Sequence, residues 1–147
     1  MTLATDFQLD ERLANDCELV MDFELCRLLM MRDSQYPWFI LVPRRANVQE
    51  IYQLDEADLA LLYQESTRLG EGLMQLFAGH KLNVAALGNV VSQLHVHHVV
   101  RYTQDAAWPD PIWGKHPAQP YTKDALDQRV ALVRGYFGAE SIVGKLS

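Results

Sequence analysis

The segment Ser92–Arg101, "SQLHVHHVVR", holds three of the chain's five histidines within four residues. In an extended strand, alternate residues share a face. Gln93, His95, His97, Val99 and Arg101 then point one way, and Leu94, Val96, His98 and Val100 the other. One face carries an amide, two imidazoles and a guanidinium. The other is apolar except for His98. Three chemistries fit the polar face. In the first, His95 and His97 are core or interface residues, each with its polar atoms partnered. In the second, histidines at i and i+2 share a metal ion, which needs further ligands. His80 and His116 are isolated in the sequence, however, and the strand carries no carboxylate. In the third, a neutral imidazole attacks phosphorus through one ring nitrogen while the other nitrogen donates the hydrogen bond that fixes its tautomer. A second histidine two residues on then donates to a non-bridging oxygen or to the leaving group. Alternation directs His98 to the apolar face, as a satisfied core or interface residue.

Other elements must hold that strand in place. Residues 1–16 read as an arm or short helix. "CELVMDFELCRLLMMRD" reads as two short strands joined by a turn near Asp22–Glu24. "WFILVP" is a short apolar run closed by Pro43, which suits a strand buried on both faces with Trp38 in the core. "RRANVQEIYQL" reads as a loop, with Arg44 and Arg45 a solvated pair. Asp55 is an N-cap type, followed by Glu56 and Asp58 where the helix dipole favours negative charge. Leu62, Leu69, Leu73 and Leu76 continue a helical stripe, which Gly79 is expected to stop. Gly70 and Gly72 inside that helix suggest close packing against the sheet. "KLNVAAL" and "SQLHVHHVVRY" read as strands flanking a turn at Gly88 and Asn89. Residues 103–121 hold four of the six prolines together with Trp108 and Trp113, and read as an irregular loop. A last helix is expected over 122–138, capped by Thr122 and stopped by Gly138, with Leu126, Val130, Val133 and Phe137 on one side. The order gives a single α+β domain over 1–147 with an antiparallel sheet.

Composition narrows the function. With 49% hydrophobic and 22% charged residues, the 147-residue chain is ordinary globular material with enough length for a core. A net charge of −6 argues against a nucleic-acid surface, although a few placed donors can still hold a local anion. The two cysteines, Cys17 and Cys26, form no C-x-x-C pair and are expected reduced. Neither a signal-peptide pattern nor a membrane-length apolar run is visible, so a cytoplasmic protein without membrane association is expected.

"QLHVHHVVR" resembles the signature of the histidine triad (HIT) superfamily, His-φ-His-φ-His-φ-φ with φ apolar. Gln93 takes the first slot, His95 the second and His97 the third. His98 and Val99 take trailing slots, and Arg101 matches a frequent arginine. "LNVAALGNVV" is similar to the family's asparagine-bearing strand and Gly-Gln turn, with Asn83 and Gly88 matching and Asn89 replacing the glutamine. "FILVPRRANV" resembles the segment before the family's helix, with Ala46 where a histidine is common. The likeness covers about residues 20–102.

The resemblance implies a mainly five-stranded antiparallel sheet with one long central helix and a C-terminal helix, in a homodimer. It implies a nucleotide phosphohydrolase or nucleotidyl transferase cleaving at the α-phosphate of dinucleoside polyphosphates or nucleoside phosphoramidates. His95 would attack to form a covalent nucleotidyl-histidine, His97 would contact the scissile phosphate, and Gln93 would complete the catalytic set. Asn83, Gly88, Asn89 and Arg101 would bind substrate. No cofactor or protein-bound metal is implied, and magnesium would arrive with a polyphosphate substrate. Gln93 cannot transfer a proton as an imidazole can, but it can hold a neighbour. Val90 stands where many members place a hydroxyl residue that hydrogen-bonds the leaving group. These departures leave a second reading open, a non-catalytic nucleotide-binding regulatory or interaction dimer.

Overall fold

The computed structural model describes residues 6–146. A five-stranded antiparallel sheet is ordered β1-β2-β3-β5-β4, with β1 at Cys17–Asp22, β2 at Cys26–Met31, β3 at Trp38–Pro43, β4 at Lys81–Ala86 and β5 at Val96–Arg101. Three helices accompany it: a short α1 at Glu11–Asp16, α2 at Glu56–Leu76 and α3 at Lys123–Leu146. The architecture is the α+β arrangement expected, and the arm does contain a short helix. The expectation for residues 1–5 lies outside the described residues.

Strand alternation divides the buried apolar residues into two layers. Leu28, Met30, Phe39, Leu41, Val96 and Val100 pack against Leu69 and Leu73 of α2 and Val133 and Phe137 of α3. On the opposite face Leu29, Trp38, Ile40, Val42 and Val99 meet Leu13, Ala107 and Ile112, with Phe7, Leu9 and Trp113 against them. Helices therefore cover one face, and the N-terminal arm and the 103–121 loop cover the other. All six residues of β3 and of β5 are buried, which follows from their interior places in the sheet.

Local chemistry explains the connections. The β1–β2 turn is held from below by Glu65 of α2, whose carboxylate accepts from Leu25 N–H at 2.9 Å and Cys26 N–H at 2.8 Å. Asp55 caps α2 by accepting from Asp58 N–H, and Thr122 caps α3 by accepting from Ala125 N–H. Arg44 is not a solvated residue: it donates to the carbonyls of Phe23, Glu24 and Leu25, while Arg45 pairs with Asp58 at 2.7 Å. Cys17 and Cys26 are free and buried, and burial pushes both thiols up from their usual range.

Two expected helix stops differ. At the end of α2 it is Ala78, at φ 49°, that takes the left-handed turn, not Gly79. Glycine is needed at 79 for space, since a Cβ there would lie 2.5 Å from Val100 Cγ1 and 2.6 Å from Met74 Sδ. The last helix continues past Gly138 to Leu146, because glycine weakens a helix without ending one unless it turns left-handed. Gly70 faces Leu82 of the sheet as expected, but Gly72 faces Phe137 and Tyr136 of α3.

Candidate active site

Strand β5 begins at Val96, so His95 stands at the end of the preceding loop and His97 is the strand's second residue. Both project to the loop-covered face, with ring centroids 5.0 Å apart in an edge-to-face pair. Each ring has one nitrogen committed to the chain. His95 Nδ1 lies 2.7 Å from the carbonyl oxygen of Gln93. A carbonyl only accepts, so Nδ1 carries the proton and Nε2 holds a free lone pair. His97 Nδ1 lies 2.9 Å from Trp38 Nε1. An indole N–H only donates, so this Nδ1 is the acceptor and Nε2 carries the proton. Among the described residues, the buried side-chain polar atoms without partners are Tyr36 Oη and Trp113 Nε1. The Nε2 atoms of His95 and His97 are therefore open to the site. Two adjacent imidazoles thus present opposite functions, one an acceptor and one a donor.

Burial, reinforced by the neighbouring His95 and His98 rings, pushes His97 down to about 3. It is neutral near pH 7 and donates without carrying charge. Trp113 closes the arrangement, 5.4 Å from the His97 ring and 6.4 Å from Trp38.

His95 also borders a cavity of about 190 Å³, lined by Gln49, Glu50, Ala86, Gly88, Asn89, Ser92 and Leu94. Its polar groups are amides, a hydroxyl and one carboxylate, with no lysine or arginine. Gly88 permits the tight loop, since a Cβ there would sit 3.0 Å from the carbonyl of Val91. Gln53 Oε1 pins the opposite wall by accepting from Gln49 N–H and Glu50 N–H.

The structure thus brings His95, His97, Gly88 and Asn89 together, joins Gln93 to them through its carbonyl alone, and leaves Arg101 and Asn83 elsewhere. Gln93 lies before the strand begins, and its side-chain amide bonds to Gln8 and Asp10 of the arm. Arg101 is 1% exposed and donates from Nε and Nη2 to the two carboxylate oxygens of Asp105, at 2.8 and 3.0 Å. It also donates to Asn83 Oδ1 at 2.8 Å and stacks over Trp108 at 5.5 Å. Six residues of strand separate it from His95, roughly 20 Å. Burial tends to raise the Asp105 carboxyl, but Arg101 and the N–H groups of Tyr102 and Trp108 outweigh it and hold the carboxyl below its usual value. Arg101 and Asn83 therefore tie β5, β4 and the following loop together. His98 occupies the helix face, fully buried, with Nδ1 donating to Val96 O at 3.0 Å and Nε2 accepting from Ser66 Oγ at 2.8 Å. Among the described residues, no three His, Cys, Asp or Glu side chains are placed to hold a metal ion.

Sequence reasoning missed Trp38 as a partner of His97, and Gln49, Glu50 and Ser92 as lining residues. Trp38 did carry a signal: a buried indole needs an acceptor, and "WFILVP" offers none of its own.

Residues 12–104 match the HIT domain. The chain belongs to the histidine triad family. A histidine triad protein from Marinobacter aquaeolei VT8 is similar at 49% identity over 88% of this chain and 95% of its own, with a TM-score of 0.87. A HIT protein from Sinorhizobium meliloti 1021 has 37% identity over 91% and 99% of the two chains, with a TM-score of 0.89. Diadenosine triphosphate hydrolase of Plasmodium falciparum, at 12% identity and a TM-score of 0.64 over 90% of this chain and 81% of its own, shares the fold. No curated protein matches the sequence. Within this HIT chain, His95 and His97 are the tautomerically opposed pair, and the Gln93 amide is bound to the arm. No described helix is long and apolar enough to cross a membrane.

Proposed function

We propose that this HIT protein is a nucleotide phosphohydrolase or nucleotidyl transferase acting at the α-phosphate through a nucleotidyl-histidine at His95. The observation that carries the proposal is the opposed pair of tautomers. The free lone pair on His95 Nε2 attacks the α-phosphorus, and the bond from phosphorus to the leaving amine or phosphate breaks. The leaving group takes its proton from solvent, because His97, neutral near pH 7, supplies a hydrogen bond and not a proton. His97 Nε2–H steadies a non-bridging oxygen. Positive charge gathering on the His95 ring is met by the Gln93 carbonyl. Water then attacks phosphorus and releases a proton to solvent, and the phosphorus–nitrogen bond breaks so that the ring departs neutral with the lone pair restored to Nε2.

The cavity beside His95 suits a phosphate-sized group bound by neutral donors, with Asn89 and Ser92 nearest in kind. At about 190 Å³ it is smaller than the roughly 300–1,000 Å³ of pockets that enclose a whole ligand. The nucleoside then extends beyond it. Substrates are dinucleoside polyphosphates, with their accompanying magnesium, or nucleoside phosphoramidates. The working unit is a homodimer, a reading supported by edge strand β4, which leaves Val84 half-exposed.

The test is an intact-protein mass spectrum, quenched without acid after brief mixing with a nucleoside phosphoramidate or diadenosine tetraphosphate. The expected result is a transient gain of one nucleoside monophosphate, absent in His95→Ala. Neither adduct nor product with either compound would favour a nucleotide-binding dimer instead.

A further inference from the structure

We propose that Gln93 is a positioning residue whose side chain fastens the N-terminal arm and thereby holds its own carbonyl in place for the nucleophile. Its amide grips two backbone groups of one extended segment. Nε2–H donates to Gln8 O at 2.9 Å, and Oε1 accepts from Asp10 N–H at 2.9 Å. In an extended chain the carbonyl of residue i and the N–H of residue i+2 face the same side, so the amide takes the place of a neighbouring strand's peptide group. Both partners are unambiguous in polarity, so the amide has one orientation. An imidazole also has a donor and an acceptor, but its two nitrogens diverge, whereas the amide oxygen and nitrogen lie side by side. This gives a physical reason for glutamine in the triad's first slot.

The clamp acts on a loop that is otherwise fastened at Leu94, which is buried in the helix-face core with its N–H donating to Val48 O at 2.9 Å. Residues 87–95 form neither helix nor strand, and Val90 is 78% exposed. The arm is tied to this loop a second time by Arg12 Nη1, which donates to Val90 O at 2.9 Å. Asp10 links the two ties by capping α1 at Arg12 N–H, 2.8 Å away. Phe7 and Leu9 of the arm and Val91 of the loop all pack against the loop-face cluster. Gln93 therefore joins two connections in one residue: its side chain holds the arm, and its carbonyl fixes the His95 tautomer. Loosening the first frees the second.

The kinetic part of this inference rests on the nucleotidyl-histidine reading; the structural part does not. The experiment uses the full chain, ¹⁵N-labelled, as wild type, Q93A, Q93E and Q93H. Three readouts are taken: hydrogen exchange at the Asp10 amide, the ¹⁵N shifts of His95, and kcat and KM for a nucleoside phosphoramidate. In wild type we expect a protected Asp10 amide and a single His95 tautomer protonated at Nδ1. In Q93A, Asp10 exchange speeds up at least about tenfold, His95 becomes a tautomer mixture, and kcat falls about tenfold with KM changed less. Q93E keeps the bond from Asp10 but loses the one to Gln8, so it falls between; Q93H restores neither. If Q93A does not fold, Q93E and Q93H carry the same comparison. Unchanged Asp10 protection in these variants overturns the clamp. Lost protection with an unchanged His95 tautomer overturns the link to the nucleophile. Wild type that forms no adduct with any nucleotide removes the functional reading, while exchange and ¹⁵N shifts still decide this one.

Discussion

Trp38→Phe tests the donor half of the histidine pair. The substitution keeps an aromatic ring on β3 but deletes the indole N–H that His97 Nδ1 accepts at 2.9 Å. In wild type the alternative tautomer would set two N–H groups against each other and forfeit that bond. Leaving such a buried group unpartnered costs about 1–3 kcal/mol. At about 2 kcal/mol the wrong tautomer holds only a few per cent of the population. Without the indole neither tautomer has a partner at Nδ1, and the two approach equality. The competent fraction then falls about twofold, and loss of the bond's hold on the ring, worth about 1 kcal/mol, adds about fivefold. We expect kcat to fall about tenfold and unfolding free energy to drop about 2–4 kcal/mol, the lost ring atoms included. The assay is turnover beside ¹⁵N shifts of His97 and a urea melt. Trp113→Phe is the control: Trp113 packs on the same imidazole, but its N–H has no partner, so His97 should keep its tautomer and stability should hold or rise. If Trp38→Phe retained both a pure Nε2–H tautomer and full turnover, the assignment of His97 as an oriented donor would be wrong.

Acid sensitivity is also expected. Burial brings His98 down to about 4 and His97 to about 3, below the roughly 6.5 of an unfolded histidine. The unfolded chain binds more protons between those values, so stability is full above about pH 6.5 and is lost as pH falls toward the folded values. At pH 5 each histidine accounts for about 2 kcal/mol of that loss. His98→Leu should shrink the drop in unfolding free energy between pH 7.5 and pH 5, read from urea melts, by about that amount; parallel pH profiles would contradict the buried neutral assignment. Arg101→Met should cost about 3–5 kcal/mol by stranding Asp105, and Asp105→Leu in the same chain should recover part of it. If Arg101→Met instead raised KM without lowering the melting temperature, Arg101 would be a substrate contact after all.

Much of this was legible in the residues. Apolar runs and turn signals placed all five strands, helical spacing placed both long helices, and alternation alone sent His98 to the apolar face, away from His95 and His97. It did not reveal that the Gln93 side chain is taken up by the arm, because the arm reaches that loop only through tertiary packing. Arg101 and Asn83 were misplaced for a different reason. Sequence shows a guanidinium but not the carboxylate that folds back onto it, here from a loop that builds its first turn around Asp105. The cavity wall at Gln49 and Glu50 was invisible because those residues reach His95 only through tertiary packing. Gly138 misled because glycine ends a helix by turning left-handed, and nothing in the sequence says whether it will.

Strand order carries a consequence for how the molecule is made. β5 is the last strand in the chain, yet it lies between β3 and β4. During synthesis β1, β2 and β3 can pair as they emerge, while β3 keeps an open, wholly apolar edge until residue 101 is available. Such an edge invites pairing with other chains. The segment that brings the histidines also closes this edge, so a ribosome-bound chain gains its reactive groups and its protection from aggregation in the same step.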